Sequence, residues 1–468
     1  MASDKKNPRT PGVYIKEIPS FQSSIAQVET AIPAFIGYTE KAVKTKADDL
    51  RNIPRYITSL GEYTQYFGVA KPEGANIQVT IDTAVNPPTA TAEIQELQRS
   101  KYLMYYSVQA FFANGGSRCY IVSVGDYTTG LVEVEALRKG LQATRAVQEI
   151  TLIVFPDSIG LIASADYYDL HQEALSLCAD LEDRFTVMDV WVDPANPDAP
   201  AHIDTLRNSS LGNSADSLKY GAVYYPRLET TLDFQYDPAL VRVVVAGAKT
   251  SLSSLEKVNS EQYNLAKNAI SRLPLILPAA SAVVGVYAQV DATDGVWKAP
   301  ANINIDRVIK PVVSINNEEQ SDLIIDAIGG KSINAIRSFS GRGPAIIWGA
   351  RTLAGNDNEW RYVPVHRFSI MAETSIKLAI ESFVFEPNDA NTWGKAQSMI
   401  ENFLTTLWRD GGLQGSRPND AFFVQVGLGV TMTAQDILDG KMIVQVGIAM
   451  VHPAEFIILS FIQEMQNM

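Results

Sequence analysis

Arg118-Cys-Tyr-Ile-Val-Ser-Val124, Thr151-Leu-Ile-Val-Phe155 and Phe185-Thr-Val-Met-Asp-Val-Trp-Val192 are three almost unbroken apolar runs. Strands that are apolar on both faces belong in a sheet covered on both sides. Helix-like segments, 131–146 and 164–182, separate them. This β-α-β-α-β order predicts an α/β domain with a partly parallel sheet.

Outward from that block, 31–38 reads as another apolar strand and 54–68 as a short helix ending at Gly68. Residues 70–97, rich in Thr, Ala, Asn and Pro, suit an exposed loop or a small inserted hairpin. Residues 101–113 suit a buried helix stopped by Asn114-Gly115-Gly116. After 192, a Pro/Asn/Ser-rich loop (193–217) leads to strand 222–226, a mixed stretch (226–260), helix 261–272 and a loop-rich stretch (291–316). Leu273 to Ala288 is the longest apolar run. It carries Pro274 and Pro278, falls short of the roughly 20 residues of a bilayer span, and reads as a buried strand or turn. The last third predicts helix 321–328, strands 333–339 and 345–349, and helices 367–382 and 391–409. Strands 421–427, 442–451 and 455–462 follow, the second nearly continuous and buried. Leu404, Leu407 and Trp408 share one face of helix 391–409.

At 46% hydrophobic and 19% charged, the chain can bury a large core. A net charge of −13 argues against non-specific nucleic-acid binding, which needs basic patches. The polar start, Met1 to Pro8, has no apolar core of a secretory signal, so synthesis in the cytoplasm is expected. Cys119 and Cys178 are expected as buried free thiols.

Signals for catalysis are weak. His171, His202, His366 and His452 have no metal-like spacing. Gly329-Gly330-Lys331-Ser332 imitates the end of a phosphate-binding loop, but the required earlier glycine is Ile325 and the preceding segment reads as a helix. Gly341-Arg-Gly-Pro344 suits a turn. Asp291-Ala-Thr-Asp-Gly295 resembles a calcium loop whose final Glu is replaced by Asn302. No catalytic, cofactor-binding or metal residues are assigned. A cytoplasmic α/β enzyme holding a nucleotide at 329–332 is the competing class. Arg337, Arg342, Arg351, Arg361 and Arg367 crowd together in an acidic chain. Local salt bridges to Glu359, Glu373 and Glu381 would explain them; an intersubunit charge network is the sharper reading.

Both ends are short β-type segments bounded by proline: Thr10-Pro-Gly-Val-Tyr-Ile15 and Pro453-Ala-Glu-Phe-Ile-Ile-Leu-Ser-Phe-Ile462. Domain ends are usually polar and frayed. Strand-like ends can add to another subunit's sheet, which points to a polymer subunit.

Short motifs in order along the chain carry a resemblance. They are Thr10–Ile15, Phe111-Phe-Ala-Asn-Gly-Gly-Ser-Arg-Cys-Tyr-Ile-Val122, Gly295-Val-Trp-Lys-Ala-Pro-Ala-Asn302 and Ile333-Asn-Ala-Ile-Arg337. Gly341-Arg-Gly-Pro-Ala-Ile-Ile-Trp-Gly-Ala-Arg-Thr-Leu353, Trp360-Arg-Tyr-Val-Pro-Val365, Val384-Phe-Glu-Pro-Asn388, Phe403-Leu-Thr-Thr-Leu-Trp-Arg409, Ala421-Phe-Phe-Val424 and Pro453-Ala-Glu-Phe456 complete the set. The chain resembles the contractile tail sheath family of phage tails, R-type bacteriocins and extracellular contractile injection systems. Ala31 to Lys41 looks most like the injection-system branch, with a contractile-phage or R-type bacteriocin sheath as the alternative. His366 and His452 stand where arginine is expected.

The resemblance implies a multidomain α/β (mixed α+β) sheath protein. It would have an amino-terminal arm (1–22), outer α/β domains (23–345, with the insertion near 70–97), a tube-facing α/β domain (346–452) and a carboxy-terminal arm (453–468). It implies hexameric rings of this chain stacked helically around an inner tube protein. Further implied partners are baseplate and tail-terminator or cap proteins, and possible sheath paralogues, with no nucleic acid, cofactor or direct membrane insertion. Val13, Tyr14 and Ile15 would be the strand residues of one arm, and Ile457, Ile458, Leu459 and Phe461 those of the other. Arg342, Arg351, Arg361, Lys395 and Arg409 are candidate contacts to neighbours or tube, with helix 391–409 facing the tube. The particle would be released outside the cell or anchored at its envelope.

Overall fold

A computed structural model describes residues 25–196, 201–212, 215–326 and 329–456. The predicted apolar strands form the centre of a nine-stranded sheet. Its order is Ile303–Asn304, Gly343–Ile347, Asn334–Phe339, Gly221–Tyr225, Phe185–Asp189, Leu152–Val154, Pro33–Tyr38, Cys119–Gly125, Arg55–Ile57. From Asn334–Phe339 to Cys119–Gly125 all neighbours are parallel; the outer strands are antiparallel.

Both faces of the sheet are covered. Adjacent residues of a strand point to opposite faces. Phe35 meets Phe111 of helix Met104–Ala113 edge-on, with ring centroids 5.3 Å apart. Its neighbour Ile36 packs against helix Val134–Thr144 at Gly140, where an added Cβ would lie 2.5 Å from Ile36 Cγ2. Helix Ser164–Leu181 packs beside Val134–Thr144.

The apolar run 273–288 is a short strand, Leu275–Leu277, and then a buried helix, Ala280–Thr293, not a strand or turn throughout. A helix apolar all round is one buried all round, and this one lies against Met104–Ala113. A Cβ at Gly285 would sit 2.6 Å from the Phe111 carbonyl oxygen, so only glycine permits that approach. The stretch 193–217 is not wholly loop: it contains helix Ala201–Arg207. Residues 54–68 divide into strand Arg55–Ile57 and helix Leu60–Phe67. Ser59 caps that helix by accepting from the Glu62 N–H. The helix expected at 321–328 begins earlier, as Asn317–Ile324, behind an Asn316–Glu319 capping box.

Residues 70–97 contain the hairpin Ile77–Asp82 and Thr89–Ile94. Strand Arg242–Val245 joins it in parallel, completing a four-stranded sheet with Ala248–Ser251. Alternating burial along Ile77–Asp82 gives this sheet one covered face, packed on helix Ser260–Ile270. Cys119 and Cys178 are free and buried.

The chain divides into two compact units. Among the described residues, the large one comprises 27–374 and 450–456, and the small one comprises 375–449 with Ile25 and Ala26. The division expected at 345/346 would cut strand Gly343–Ile347, which belongs to the large sheet.

In the small unit, helix Ala390–Arg409 is capped by Asp389, which accepts from the N–H groups of Asn391 and Thr392, each at 3.0 Å. It buries Ala396, Met399, Ile400, Phe403, Leu404 and Leu407. Strands Phe422–Gln425 and Gln445–Ile448 pair antiparallel as a two-stranded sheet. The expected strand 442–451 is thus shorter and only half-buried, because the ladder has a single partner strand among the described residues. Glu455 and Phe456 are not in a strand, and the rest of the segment expected at 455–462 lies outside the described residues.

Candidate assembly site and buried arginine clamps

Val13, Tyr14 and Ile15, and Ile457, Ile458, Leu459 and Phe461, lie outside the described residues. The five crowded arginines do not behave alike. Arg342 is exposed, stacks over Trp348 at 4.7 Å and donates to Asn302. Arg361 donates to the Asp357 carbonyl and to the Asn358 side chain. Arg337 donates to Gln320 and Asn317. Arg351 and Arg367 are buried.

Arg351 makes a forked contact with Glu455: Nη2 to Oε2 at 2.6 Å, and Nε to Oε1 and Oε2 at 3.0 and 3.1 Å. The Tyr362 hydroxyl donates to the same carboxylate at 3.2 Å. Burial and that carboxylate push the Tyr362 phenol up, which keeps its proton available to donate. Asn334 fixes the Arg351 backbone from strand Asn334–Phe339: Oδ1 accepts from the Arg351 N–H at 2.7 Å and Nδ2 donates to its carbonyl at 2.8 Å.

Arg367 makes a second fork, on Asp291, at 2.5 and 3.0 Å, over the Tyr287 ring at 4.6 Å. It also donates to the Thr30 carbonyl at 2.8 Å, and the Thr30 hydroxyl donates to Asp291 at 2.6 Å. The carboxylates held are 104 and 76 residues away in sequence, so Glu359, Glu373 and Glu381 do not fill that role for these two arginines. Removing one partner of such a buried pair leaves an uncompensated charge, a loss of about 3–5 kcal/mol.

The nucleotide-like and calcium-like segments have other jobs. Lys331 Nζ donates to the carbonyls of Arg207 and Ser209 at 2.8 and 3.3 Å, and Ser332 donates to the Ile324 carbonyl at 2.6 Å. Asp291 is the Arg367 partner. Among the described residues no His, Cys, Asp and Glu group could hold a metal ion, and no helix is long and apolar enough to cross a membrane. His171, His202 and His366 are buried.

In the small unit, Lys395 and Arg409 project from the exposed side of helix Ala390–Arg409, about 21 Å apart by helical rise. Leu378, Val384, Phe385, Phe423, Leu438 and Ile443 are exposed there. Phe385 does so from a φ of 72°, a conformation costly for a bulky residue. In the two-stranded sheet, the Ala449 N–H to Ala421 carbonyl bond (2.8 Å) sets the alternation. Pairs 423/447 and 425/445 therefore bond inward, while Val446 and Ile448 turn their N–H and C=O groups away from the partner strand. On the other edge, Gln397 Nε2 donates to the Val424 carbonyl at 3.2 Å. The Gln445–Ile448 edge is thus the better acceptor for a further strand.

The family model of the phage tail sheath C-terminal domain matches residues 355–464. The anti-feeding prophage (AFP) helical sheath in its contracted state is 31% identical over 98% of this chain and 100% of that one, with a TM-score of 0.65. A chain of the contracted AFP baseplate is 28% identical over 98% and 100%, with a TM-score of 0.71. The sheath complex of PVC, an extracellular contractile injection system, in its contracted state is 28% identical over 98% and 99%, with a TM-score of 0.63. No curated protein matches significantly. These matches define a contractile sheath fold. The chain belongs to the contractile tail sheath family, with the injection-system sheaths among its relatives, and is a structural protein, not an enzyme.

Proposed function

We propose that this injection-system sheath subunit polymerises as stacked hexameric rings around an inner tube and shortens to drive that tube through a target membrane. In this reading the segments 1–22 and 453–468 add strands to sheets of neighbouring subunits. The observation that carries it is the two-stranded sheet of the small unit. A lone two-stranded ribbon is marginal in water, and the Gln445–Ile448 edge directs backbone donors and acceptors outward. Main-chain pairing at that edge makes links that survive when domains repack, so contraction is a bistable change of interfaces. The exposed apolar side chains of the same unit support its role in assembly. Baseplate and cap proteins would hold the ends of the sheath.

Deleting residues 1–18 tests the reading. The expected product is a folded monomer that forms no tubes in negative-stain images. Sheaths of normal length would overturn the strand-exchange assignment.

A further inference from the structure

We infer that Arg351 and Arg367 are the anchors through which the two terminal arms pull on the large unit. The inference rests on the strand-exchanging arms proposed above and concerns how their load enters the fold. Thr30 lies eight residues after the proposed arm 1–22, and Glu455 is the third residue of the proposed arm 453–468, so both stand at the roots of the arms. Each root is gripped by a buried guanidinium: Thr30 by Arg367 through its carbonyl, and Glu455 by Arg351 through its carboxylate.

The two grips converge on one short block. Arg351 and Tyr362 form an isolated antiparallel bridge, and the Val363 N–H donates to the Ala350 carbonyl at 2.9 Å. That block is tied to the large sheet. Asn334 holds the Arg351 backbone and donates to the Val223 carbonyl at 3.1 Å, so strands Gly221–Tyr225 and Asn334–Phe339 both receive the load.

The chemistry suits an anchor better than ordinary packing. Apolar contact is non-directional and lets a segment slide. A forked arginine–carboxylate contact fixes position and angle together. Glu455 has no strand around it, and its side chain is held by three donor groups from Arg351 and Tyr362. Arg351 and Arg367 are positioning residues: they hold the roots and do not themselves touch a neighbour in this assignment.

Spin labels give a direct test on the full-length protein, whose two native cysteines are buried. One pair is Phe456→Cys with Ile309→Cys; the other is Gln27→Cys with Ile309→Cys. All three positions are exposed and lie in the large unit. Distance distributions by double electron–electron resonance are expected to be narrow in the parent protein. Arg351→Gln should broaden the Phe456 distribution at least twofold and lower the Tm of the main transition, while leaving the Gln27 distribution unchanged. The swap Arg351→Glu with Glu455→Arg should narrow it again. Arg367→Gln, which removes the donor to the Thr30 carbonyl, should broaden the Gln27 distribution alone. Glu455→Gln replaces Arg351→Gln if the latter does not fold. Unchanged widths in these variants would overturn the anchors, as would an equal broadening of both pairs with loss of the main transition. Wild-type protein that forms no tubes would sink the sheath reading separately, while the label widths still decide the anchors. In tubes, Arg351→Gln is expected to give sheaths broken to less than half the normal length; intact sheaths would count against a load-bearing role.

Discussion

His366 shows what one buried residue imposes. Its ring lies among Tyr220, Trp360 and Phe185 at 4.5, 5.1 and 6.4 Å, and neither ring nitrogen has a hydrogen-bond partner. Burial pushes its pKa down to about 3, with Lys219 adding to the effect. Between pH 6.5 and about 3 the unfolded chain takes up a proton that the folded chain refuses, so this residue lowers stability as pH falls. The slope is about 1.4 kcal/mol per pH unit. His366→Phe should therefore shrink the fall in unfolding free energy between pH 7 and pH 5 by about 2 kcal/mol, read from urea melts at both pH values. Asp157 and Asp189 act with the opposite sign. Burial pushes both carboxyls up to about 7, against the N–H groups that they accept from. They hold protons that the unfolded chain has already released, so their contribution falls as pH rises from about 4 through 7. A comparison with wild type isolates the histidine.

Among the elements, the two-stranded sheet of the small unit is the most exacting test. Val446 turns its N–H away from Phe422–Gln425, so Val446→Pro removes an outward donor and leaves the inward ladder intact. The expected result is a folded monomer, by circular dichroism, that forms no sheath. Val446→Thr, which keeps the N–H, should assemble. Helix Ala390–Arg409 presents Lys395 and Arg409 outward. If that helix faces the tube, Lys395→Glu with Arg409→Glu should reduce co-assembly with tube protein at least tenfold in pull-down at low salt, and high salt should weaken the wild-type contact. Undiminished co-assembly would reject the assignment. The helix itself was legible in the sequence, since its buried residues recur at spacings of three and four. Strand Gln445–Ile448 was legible as a strand but not as a half-exposed one. An apolar run reports what a segment can bury, and its cover here must come from beyond the pair of strands.

At the scale of the molecule, the large unit is built on a sheet with a parallel centre and helices on both faces, and the chain leaves it after Thr374 and returns to it at Met450. Under the anchoring inferred above, load on either arm would enter a body with an extensive core. Deletion of residues 1–18 belongs to this scale: it should abolish polymerisation and leave the Tm of the large unit within about 2 °C, because the described strands of the nine-stranded sheet all lie between Pro33 and Ile347. The sequence by itself determined the parallel core, since strands apolar on both faces separated by helical segments have few other ways to bury their surface. It also determined the family, through short motifs spread over the whole chain. Only the tertiary structure decided which carboxylates Arg351 and Arg367 hold, that 280–293 is a buried helix, and that strand Gly343–Ile347 belongs to the large sheet. The physical reason is common to all three. Local sequence sets the period and polarity of an element, but a buried charge takes the partner that the returning chain brings to it. Glu455 and Asp291 lie too far along the chain for spacing to reveal them.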